Sequence, residues 1–415
     1  MFEFTLLAKD KKNRARVGEF ITPHGKLKTP ELSFVATEGE IKAIPKDILP
    51  RLPVQLLIVN TFHVWVKHIL EKIQKNGGVH NYMDYKHVAM SDSGGFQVFS
   101  MGFGKAHGIG KVASMFPFSA RHSEFISESD SKQTTITKRM LKQVQHDNWD
   151  KNNPLTISEE GVEFTFNDKK ILLTPEKSME IQQKIGADIM FAFDECTSPL
   201  NSHAYTKKAM ERTHRWLKRC LLARSDLIKT SSQQALFAIV QGGYFKDLRK
   251  ISAKYMAKQN VPGFGIGGSL GTTEDEVRNV LDWTIPYLPD EKPRHLLGIG
   301  KVRDIFDGVE RGVDLFDCVI PTREARHRVL YTKRGKINVR KYKTVKEVPD
   351  KNCSCQMCAS NVTMKQLNNL FSLKDPRAFF YATVHNIQFY ADLMKQIRIA
   401  IKKNKLLELR ETYGY

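Results

Sequence analysis

The stretch Ala235-Leu-Phe-Ala-Ile-Val240 is followed at once by Gln241-Gly242-Gly243. Six apolar residues without polar alternation are typical of a parallel β-strand that is buried on both faces. The glycines that follow let the backbone approach a ligand closely, and the glutamine offers a donor and an acceptor. This stretch therefore predicts a buried strand with a polar group at its carboxyl end.

The same pattern recurs along the chain, with helical patterns between the runs. Further apolar runs that end in polar or glycine residues are Val54–Val59, Ile189–Phe193, Phe264–Ile266, His295–Ile299 and Leu315-Phe316. Thr174-Pro175-Glu176 begins one helix with a cap residue and a proline at the first helical position. Thr273 and Glu276 form a capping box for another, and Lys301–Gly312 supplies a third. Alternating strands and helices predict a parallel α/β fold.

Two parallel architectures fit this alternation: an open doubly wound sheet and a closed (β/α)8 TIM barrel. Polar residues follow many different predicted strands. A barrel brings the residues at all its strand ends into one site, whereas an open sheet places its functional residues at a single switch point. We therefore favour the barrel, in a catalytic domain over residues 1–345. The poorly periodic segment 114–153 is interpreted as a mobile insertion in a loop, with an active-site lid as the alternative.

The 415 residues carry a net charge of +20, and 41% of them are hydrophobic, so the chain can bury a large core. The basic excess is concentrated in residues 294–415, with 24 Lys and Arg against 12 Asp and Glu. Such a surface suits an anionic partner such as nucleic acid, although a general solubility charge explains it equally well.

No apolar run is long enough for a membrane helix and no signal peptide is recognisable, so we expect a cytoplasmic protein without a membrane partner.

Three cysteines fall within six residues, at Cys353, Cys355 and Cys358. In a chain of this length such spacing favours a metal site over a disulfide framework. His385 would complete a tetrahedral structural zinc site, although a buried core histidine is an alternative interpretation of that residue. The segment 346–415 is accordingly predicted to be a zinc-binding subdomain that ends in a helix from about Ile387 to Leu409.

Two aspartates stand at the ends of apolar runs. Asp92 precedes two glycines, and Asp317 lies within the run Leu315–Ile320. Asp92 is either a ligand-facing acid or an ordinary turn residue. An unpaired buried carboxylate is unfavourable, so Asp317 needs a role or a partner. It is either functional or part of a buried ion pair with one of the arginines that follow, Arg323 and Arg326.

Asp194 and Gln241 add a carboxylate and an amide at two other strand ends. A barrel would bring these groups together with Asp92 and Asp317, in a pocket suited to a purine-like base with several N–H donors. A pair of carboxylates is also what glycosidic bond chemistry uses, one as the nucleophile and one as the acid and base.

Taken together, these segments resemble the queuine-type tRNA-guanine transglycosylases over nearly the whole chain outside 114–153. The resemblance rests on many short motifs in one order. They are Thr22-Pro-His-Gly25, Asn60-Thr-Phe-His63, Asp92–Gln97, Leu173-Thr-Pro-Glu176, Phe193-Asp-Glu-Cys-Thr197, Val240-Gln-Gly-Gly243, Phe316-Asp-Cys-Val-Ile-Pro-Thr-Arg323, and the cysteine cluster with His385-Asn386.

The resemblance implies exchange of the wobble guanine in tRNAs with a G-U-N anticodon for a 7-deazaguanine, by an enzyme that we expect to be a homodimer. It implies Asp317 as the nucleophile and Asp92 as the general acid and base. The residues implied to bind the base are Ser93, Phe96, Asp194, Cys196, Gln241, Gly268 and Leu297. Those implied to bind the RNA are Lys301, Arg323 and Arg326, and those implied to bind zinc are Cys353, Cys355, Cys358 and His385.

Two segments depart from the family pattern. Ser269–Thr272 is atypical in a loop that helps to recognise the incoming base, so that base could be either queuine or its aminomethyl precursor. Met364-Lys-Gln-Leu367 replaces the usual residues after the cysteines.

A non-catalytic RNA-binding paralogue and a DNA base-exchanging relative are the alternative functions. The presence of both Asp92 and Asp317 argues against the paralogue. A metal-dependent hydrolase fits poorly, because no histidine cluster marks the strand ends.

Overall fold

A computed structural model of the chain describes residues 2–99, 155–167, 169–228, 234–268 and 273–415. The insertion predicted at 114–153 and the atypical loop Ser269–Thr272 lie outside the described residues.

The described strands form a closed barrel flanked by smaller antiparallel sheets. The first sheet contains β1 (Glu3–Lys9), β2 (Arg16–Thr22) and β3 (Gly25–Thr29). The first three barrel strands are β4 (Glu31–Ala36), β5 (Leu56–Val59) and β6 (Val88–Ser91). A second antiparallel sheet contains β7 (Leu155–Ile157), β8 (Val162–Phe166) and β9 (Lys169–Leu173). The other barrel strands are β10 (Ile189–Phe191), β11 (Ala235–Val240), β12 (Gly263–Ile266), β13 (Arg294–Leu296) and β14 (Leu315–Cys318). A hairpin of β15 (Val329–Thr332) and β16 (Gly335–Asn338) follows.

Around the barrel, strands β4, β5, β6 and β10–β14 pair in that order, all in parallel, and β14 closes on β4. The predicted (β/α)8 barrel class is thereby confirmed. The apolar runs of the sequence are its strands, and Ala235–Val240 coincides with β11. Among the barrel strands, β4 escaped prediction, because Glu31 and Ser33 interrupt its apolar pattern although both are buried. Glu31 is accommodated by an ion pair with Arg398 at 2.9 Å.

The helices lie between and after the strands. Those between β5 and β14 are α1 (Thr61–Val66), α2 (Leu70–Lys75), α3 (Val79–Met83), α4 (Pro175–Ile185), α5 (His203–Ile228), α6 (Lys246–Ala257), α7 (Glu274–Thr284) and α8 (Val302–Glu310). The later ones are α9 (Ile320–Arg326), α10 (Gln356–Ala359), α11 (Met364–Ser372), α12 (Pro376–Lys402) and α13 (Leu406–Glu411). Thr174 caps α4, and the capping box of Thr273 and Glu276 is present at α7, as predicted.

The C-terminal helix differs from the prediction of Ile387 to Leu409. Helix α12 begins eleven residues earlier, at Pro376, where the Asp375 side chain accepts a hydrogen bond from the backbone N–H of Arg377. It ends at Lys402, before Asn404 adopts a left-handed φ of 55°, and α13 is a separate helix. Helix α12 packs against α9 and against β1, β2 and β4 of the barrel region. The division at residue 345 stays a prediction.

The barrel interior is apolar below the strand ends, with Phe191, Phe237 and Ile239 among its buried side chains. The first sheet covers the amino ends of the strands: Phe20 of β2 contacts Phe237 edge-on, with 5.8 Å between the ring centroids. The carboxyl ends therefore remain as the accessible end of the barrel. Within the described ranges, no helix is both long and apolar enough to span a membrane.

Candidate active site

A cavity of about 300 Å³ lies at the carboxyl ends of the barrel strands. Ten of the residues predicted to act in catalysis or binding line it. They are Asp92, Ser93, Phe96, Asp194, Cys196, Gly268, Leu297, Lys301, Asp317 and Arg323. The closed barrel explains this convergence, because residues that are far apart in sequence follow neighbouring strands.

Asp92 follows β6 and accepts hydrogen bonds from four donors. The Asn60 and Gln97 side-chain amides donate to Oδ2 at 2.5 and 2.7 Å. The backbone N–H groups of Thr61 and Gly94 donate to Oδ1 at 2.9 and 3.1 Å. Burial raises the pKa of Asp92 above the usual range, and the hydrogen bonds oppose that rise. A carboxyl group with a raised pKa is suited to exchanging a proton near neutral pH.

Asp317 lies in β14, and the described residues hold its carboxylate through one oxygen. Its Oδ1 lies 2.8 Å from Nε2 of His295 and 3.0 Å from the backbone nitrogen of Gly298, which donates to it. In the described part of the chain, no hydrogen-bond donor contacts Oδ2. The side chain is 15% exposed, so the carboxylate is reachable from the cavity without being fully hydrated. It does not form the predicted alternative, a buried ion pair with Arg323 or Arg326.

Asp194 and Gln241 form a polar wall. Gln241 donates from Nε2 to Oδ2 of Asp194 at 2.6 Å, and the Ser93 hydroxyl donates to Oδ1 at 3.2 Å. Burial raises the pKa of Asp194 to about 6, although these hydrogen bonds oppose the rise. Gln241 itself does not line the cavity but lies behind Asp194. Gly268 has a left-handed φ of +80°, which favours glycine, and a Cβ there would meet Oε1 of Gln241 at 2.0 Å unless that side chain moved.

The remaining walls are apolar. Leu297 and Phe191 line the cavity together with Ile239, and Phe96 stands at its rim with 43% of its surface exposed. Cys196 is buried, which raises the pKa of its thiol and keeps it neutral. Flat apolar surfaces beside a polar wall suit an aromatic base with one hydrogen-bonding edge.

The three predicted RNA-binding cations occupy two places. Lys301 and Arg323 line the cavity. Arg326 does not: its Nη1 donates to the carbonyl of Thr322 at 2.9 Å, and the side chain lies in a second groove beside Pro376 and Phe379. Its predicted RNA contact would therefore be more distant from the cavity.

Cys353, Cys355, Cys358 and His385 form a cluster that could hold a metal ion. The three sulfur atoms lie 3.7, 3.6 and 3.5 Å from Nδ1 of His385. Metal–ligand lengths of about 2.1–2.3 Å in a tetrahedron give edges of about 3.4–3.8 Å. Nε2 of His385 lies 2.9 Å from the carbonyl of Tyr331, which orients Nδ1 towards the sulfurs. The donor set and spacing thus fit one tetrahedral ion.

A second cluster of His24, His80 and Asp188 lies at the other end of the barrel. The two imidazole rings are stacked, with 3.4 Å between their centroids and 12° between their planes. Their in-plane lone pairs lie in separate, nearly parallel planes and do not converge on one ion. Asp188 lies 2.8 Å from Nδ1 of His24, and this contact joins the β2–β3 turn to the barrel.

Three described residues whose side chains contact the two carboxylates, Asn60, Gln97 and His295, were not predicted from the sequence. Asn60 and Gln97 stand inside motifs that were noted, and Asn60 directly follows an apolar run, which was a usable signal. His295 was included in an apolar run, and a histidine within a buried strand was the signal overlooked.

The chain resembles one family of known proteins over nearly its whole length. The family model described as queuine tRNA-ribosyltransferase matches residues 10–147 and 134–414. A protein of Archaeoglobus fulgidus is 39% identical, with 97% of each chain covered. The queuine tRNA-ribosyltransferases of Latilactobacillus sakei and Herpetosiphon aurantiacus are 35% and 37% identical. Those alignments cover 100% and 98% of this chain, and 97% and 90% of the relatives.

Proposed function

The chain belongs to the queuine tRNA-ribosyltransferase family, the tRNA-guanine transglycosylases, and from this premise we propose the reaction that it catalyses. It exchanges the wobble guanine of tRNAs with a G-U-N anticodon for a 7-deazaguanine. The observation that carries the proposal is the convergence of Asp92 and Asp317 on one cavity whose polar wall matches the edge of a guanine.

The first displacement uses Asp317 as the nucleophile. Oδ2 forms a bond to C1′ of the ribose while the C1′–N9 bond breaks, and the bonding electron pair leaves with the guanine. Asp92 supplies the proton that the departing base takes up. The product is a covalent ester between the enzyme and the tRNA, which divides one difficult substitution into two easier ones.

The second displacement reverses these steps with a new base. Asp92 accepts the proton of the incoming 7-deazaguanine, whose ring nitrogen attacks C1′, and the electron pair of the ester bond returns to Asp317. The glycosidic bond energy is conserved, so ATP is not required. The apolar walls at Leu297 and Phe191 help to exclude water, which would otherwise hydrolyse the ester and leave an abasic nucleotide.

Recognition of the base is assigned to the polar wall. Ionised Asp194 accepts hydrogen bonds from the N–H groups of the guanine edge, and the backbone at Gly268 faces its carbonyl side. Gln241 contributes from behind, through its hydrogen bond to Asp194. Ser93 holds Asp194, Phe96 and Leu297 cover the faces of the ring, and Cys196 lines the pocket. This set of donors and acceptors favours guanine-like bases over adenine, whose edge is different.

The RNA is held by cations around the cavity and by the basic C-terminal part of the chain. Lys301 and Arg323 at the cavity contact the phosphates next to the target nucleotide, and Arg326 contacts the anticodon loop farther away. Arginine and lysine supply the charge-assisted hydrogen bonds that phosphates require.

We assign the ion in the Cys353, Cys355, Cys358 and His385 cluster as zinc with a structural role. Three thiolates and one imidazole form a closed tetrahedral set, which leaves no position for a substrate. Metal analysis of the purified protein should give one zinc ion per chain, and C355S should lose most of it. A full zinc content in C355S would contradict the assignment.

The experiment that tests the proposed function measures incorporation of labelled guanine and of each candidate 7-deazaguanine into tRNA. Transcripts with a G-U-N anticodon should be labelled, whereas the same transcripts with adenine at the wobble position should not. A DNA hairpin of the same sequence is the control for the alternative substrate. Absence of incorporation into every tRNA, or preferential incorporation into DNA, would contradict the proposal.

A further inference from the structure

His295 is buried in β13, with none of its side-chain surface exposed, and directly contacts Asp317. Its Nε2 lies 2.8 Å from Oδ1 of the carboxylate. Phe191 meets the imidazole edge-on, with 5.1 Å between the ring centroids, so apolar packing surrounds the ring on that side. The contact thus joins a fully buried imidazole to the group assigned as the nucleophile.

The hydrogen bond fixes the tautomer of His295. An ionised carboxylate only accepts hydrogen bonds, so Nε2 must carry the proton. The other ring nitrogen, Nδ1, is buried and has no hydrogen-bond partner among the described residues. Buried polar groups are normally paired, and leaving one unpaired is unfavourable. Among the described residues, the hydrogen bond to Asp317 is therefore the one that explains a histidine at this position.

The same oxygen of Asp317 accepts a second hydrogen bond, from the backbone N–H of Gly298 at 3.0 Å. Two donors on Oδ1 set the orientation of the carboxylate, and no described residue donates to Oδ2. A hydrogen bond from an N–H group is stronger to a charged carboxylate than to the carbonyl oxygen of an ester. These donors consequently stabilise the free carboxylate more than the covalent intermediate.

We propose that His295 is a positioning residue that directs Oδ2 of Asp317 towards the ribose and promotes breakdown of the ester. This inference rests on the proposed function. In the second displacement the C1′–Oδ2 bond breaks, its electron pair returns to the carboxylate, and the incoming base forms the new bond to C1′. The N–H of His295 stabilises the charge that returns to Asp317. Loss of this donor therefore slows the release of the tRNA from the ester and increases the fraction of enzyme held in it.

The matched variants H295M and H295Q test this role. Their side chains have similar length, but only glutamine retains an N–H near the position of Nε2. We expect H295M to lower kcat about 10- to 100-fold, as for loss of a hydrogen bond to a charged group. The KM for tRNA should fall together with kcat, so that kcat/KM for tRNA stays near the wild-type value, because the slowed step follows formation of the ester. H295Q should recover most of the wild-type kcat.

The second readout is the fraction of enzyme that remains attached to tRNA after rapid denaturation. It should be higher in H295M than in the wild type and near the wild-type value in H295Q.

A wild-type kcat together with a wild-type adduct fraction in H295M would overturn the inference. Equal losses of kcat in H295M and H295Q would also overturn it, because they would indicate a packing role. Thermal unfolding checks both proteins, and H295F replaces H295M if that variant does not fold. If the wild-type protein exchanges no guanine, the proposed function itself fails, independently of His295.

Discussion

The two aspartates at the cavity are held in different ways. On the β5–β6 side, Asp92 has four donors divided over both of its oxygens. On the β13–β14 side, the donors to Asp317 that the structure describes are all on Oδ1. A carboxyl group that exchanges protons can be held by hydrogen-bond donors on both oxygens. A carboxylate nucleophile needs one oxygen that is free to bond to carbon. The difference in hydrogen bonding thus supports the difference in role.

The replacement D317N should have the largest effect, because an amide oxygen is a poor nucleophile and forms no stable ester. Guanine exchange should fall by at least about 10⁴-fold, as when a covalent nucleophile is removed from other enzymes. Binding of tRNA, measured by titration at one fixed salt concentration, should stay within severalfold of the wild type. Exchange at the wild-type rate would reverse the assignment of the two carboxylates.

The replacement D92N should have a smaller effect. The amide keeps the shape of the side chain but cannot transfer a proton, and general acid–base catalysis contributes about 10²- to 10⁴-fold. Single-turnover exchange rates of D92N and D317N, compared under the same conditions, measure the difference directly. Equal residual rates in the two variants would remove the functional distinction between the two sides of the cavity.

The smallest effect concerns Asp194, whose pKa is raised to about 6 by burial. Because the base binds to the ionised carboxylate, the fraction of binding-competent enzyme rises with pH through that value. The KM for guanine should therefore fall about tenfold between pH 5 and pH 7. In D194N the KM should be higher, and this pH dependence should disappear. If it persists in D194N, another group controls binding of the base.

Most of the barrel could be predicted because parallel strands that are buried on both faces are continuous apolar runs, as in Ala235–Val240. Strand β4 could not, since Glu31 needs Arg398 from the C-terminal helix to be buried, and that pairing is invisible in the local sequence. The early start of α12 had a local signal in Asp375-Pro376, a cap followed by proline.

The candidate site was predictable where function places a polar residue at a strand end, as at Asp92, Asp194 and Gln241. It was less predictable where a residue acts through another one. His295 lies 22 positions from Asp317 in the sequence and meets it only because β13 and β14 are neighbours in the barrel. The position of Arg326 was likewise decided by which face of the short helix α9 it occupies, outside the cavity.

The central claim is that Asp317 forms a covalent bond to the tRNA, and mass spectrometry of the trapped adduct tests it most directly. Wild-type enzyme is incubated with a G-U-N tRNA, denatured, and digested with ribonuclease and trypsin. We predict a nucleotide fragment attached to the peptide of residues 312–323, at Asp317, and its absence in D317N. A nucleotide attached to the peptide that contains Asp92, or an adduct that persists in D317N, would contradict the account.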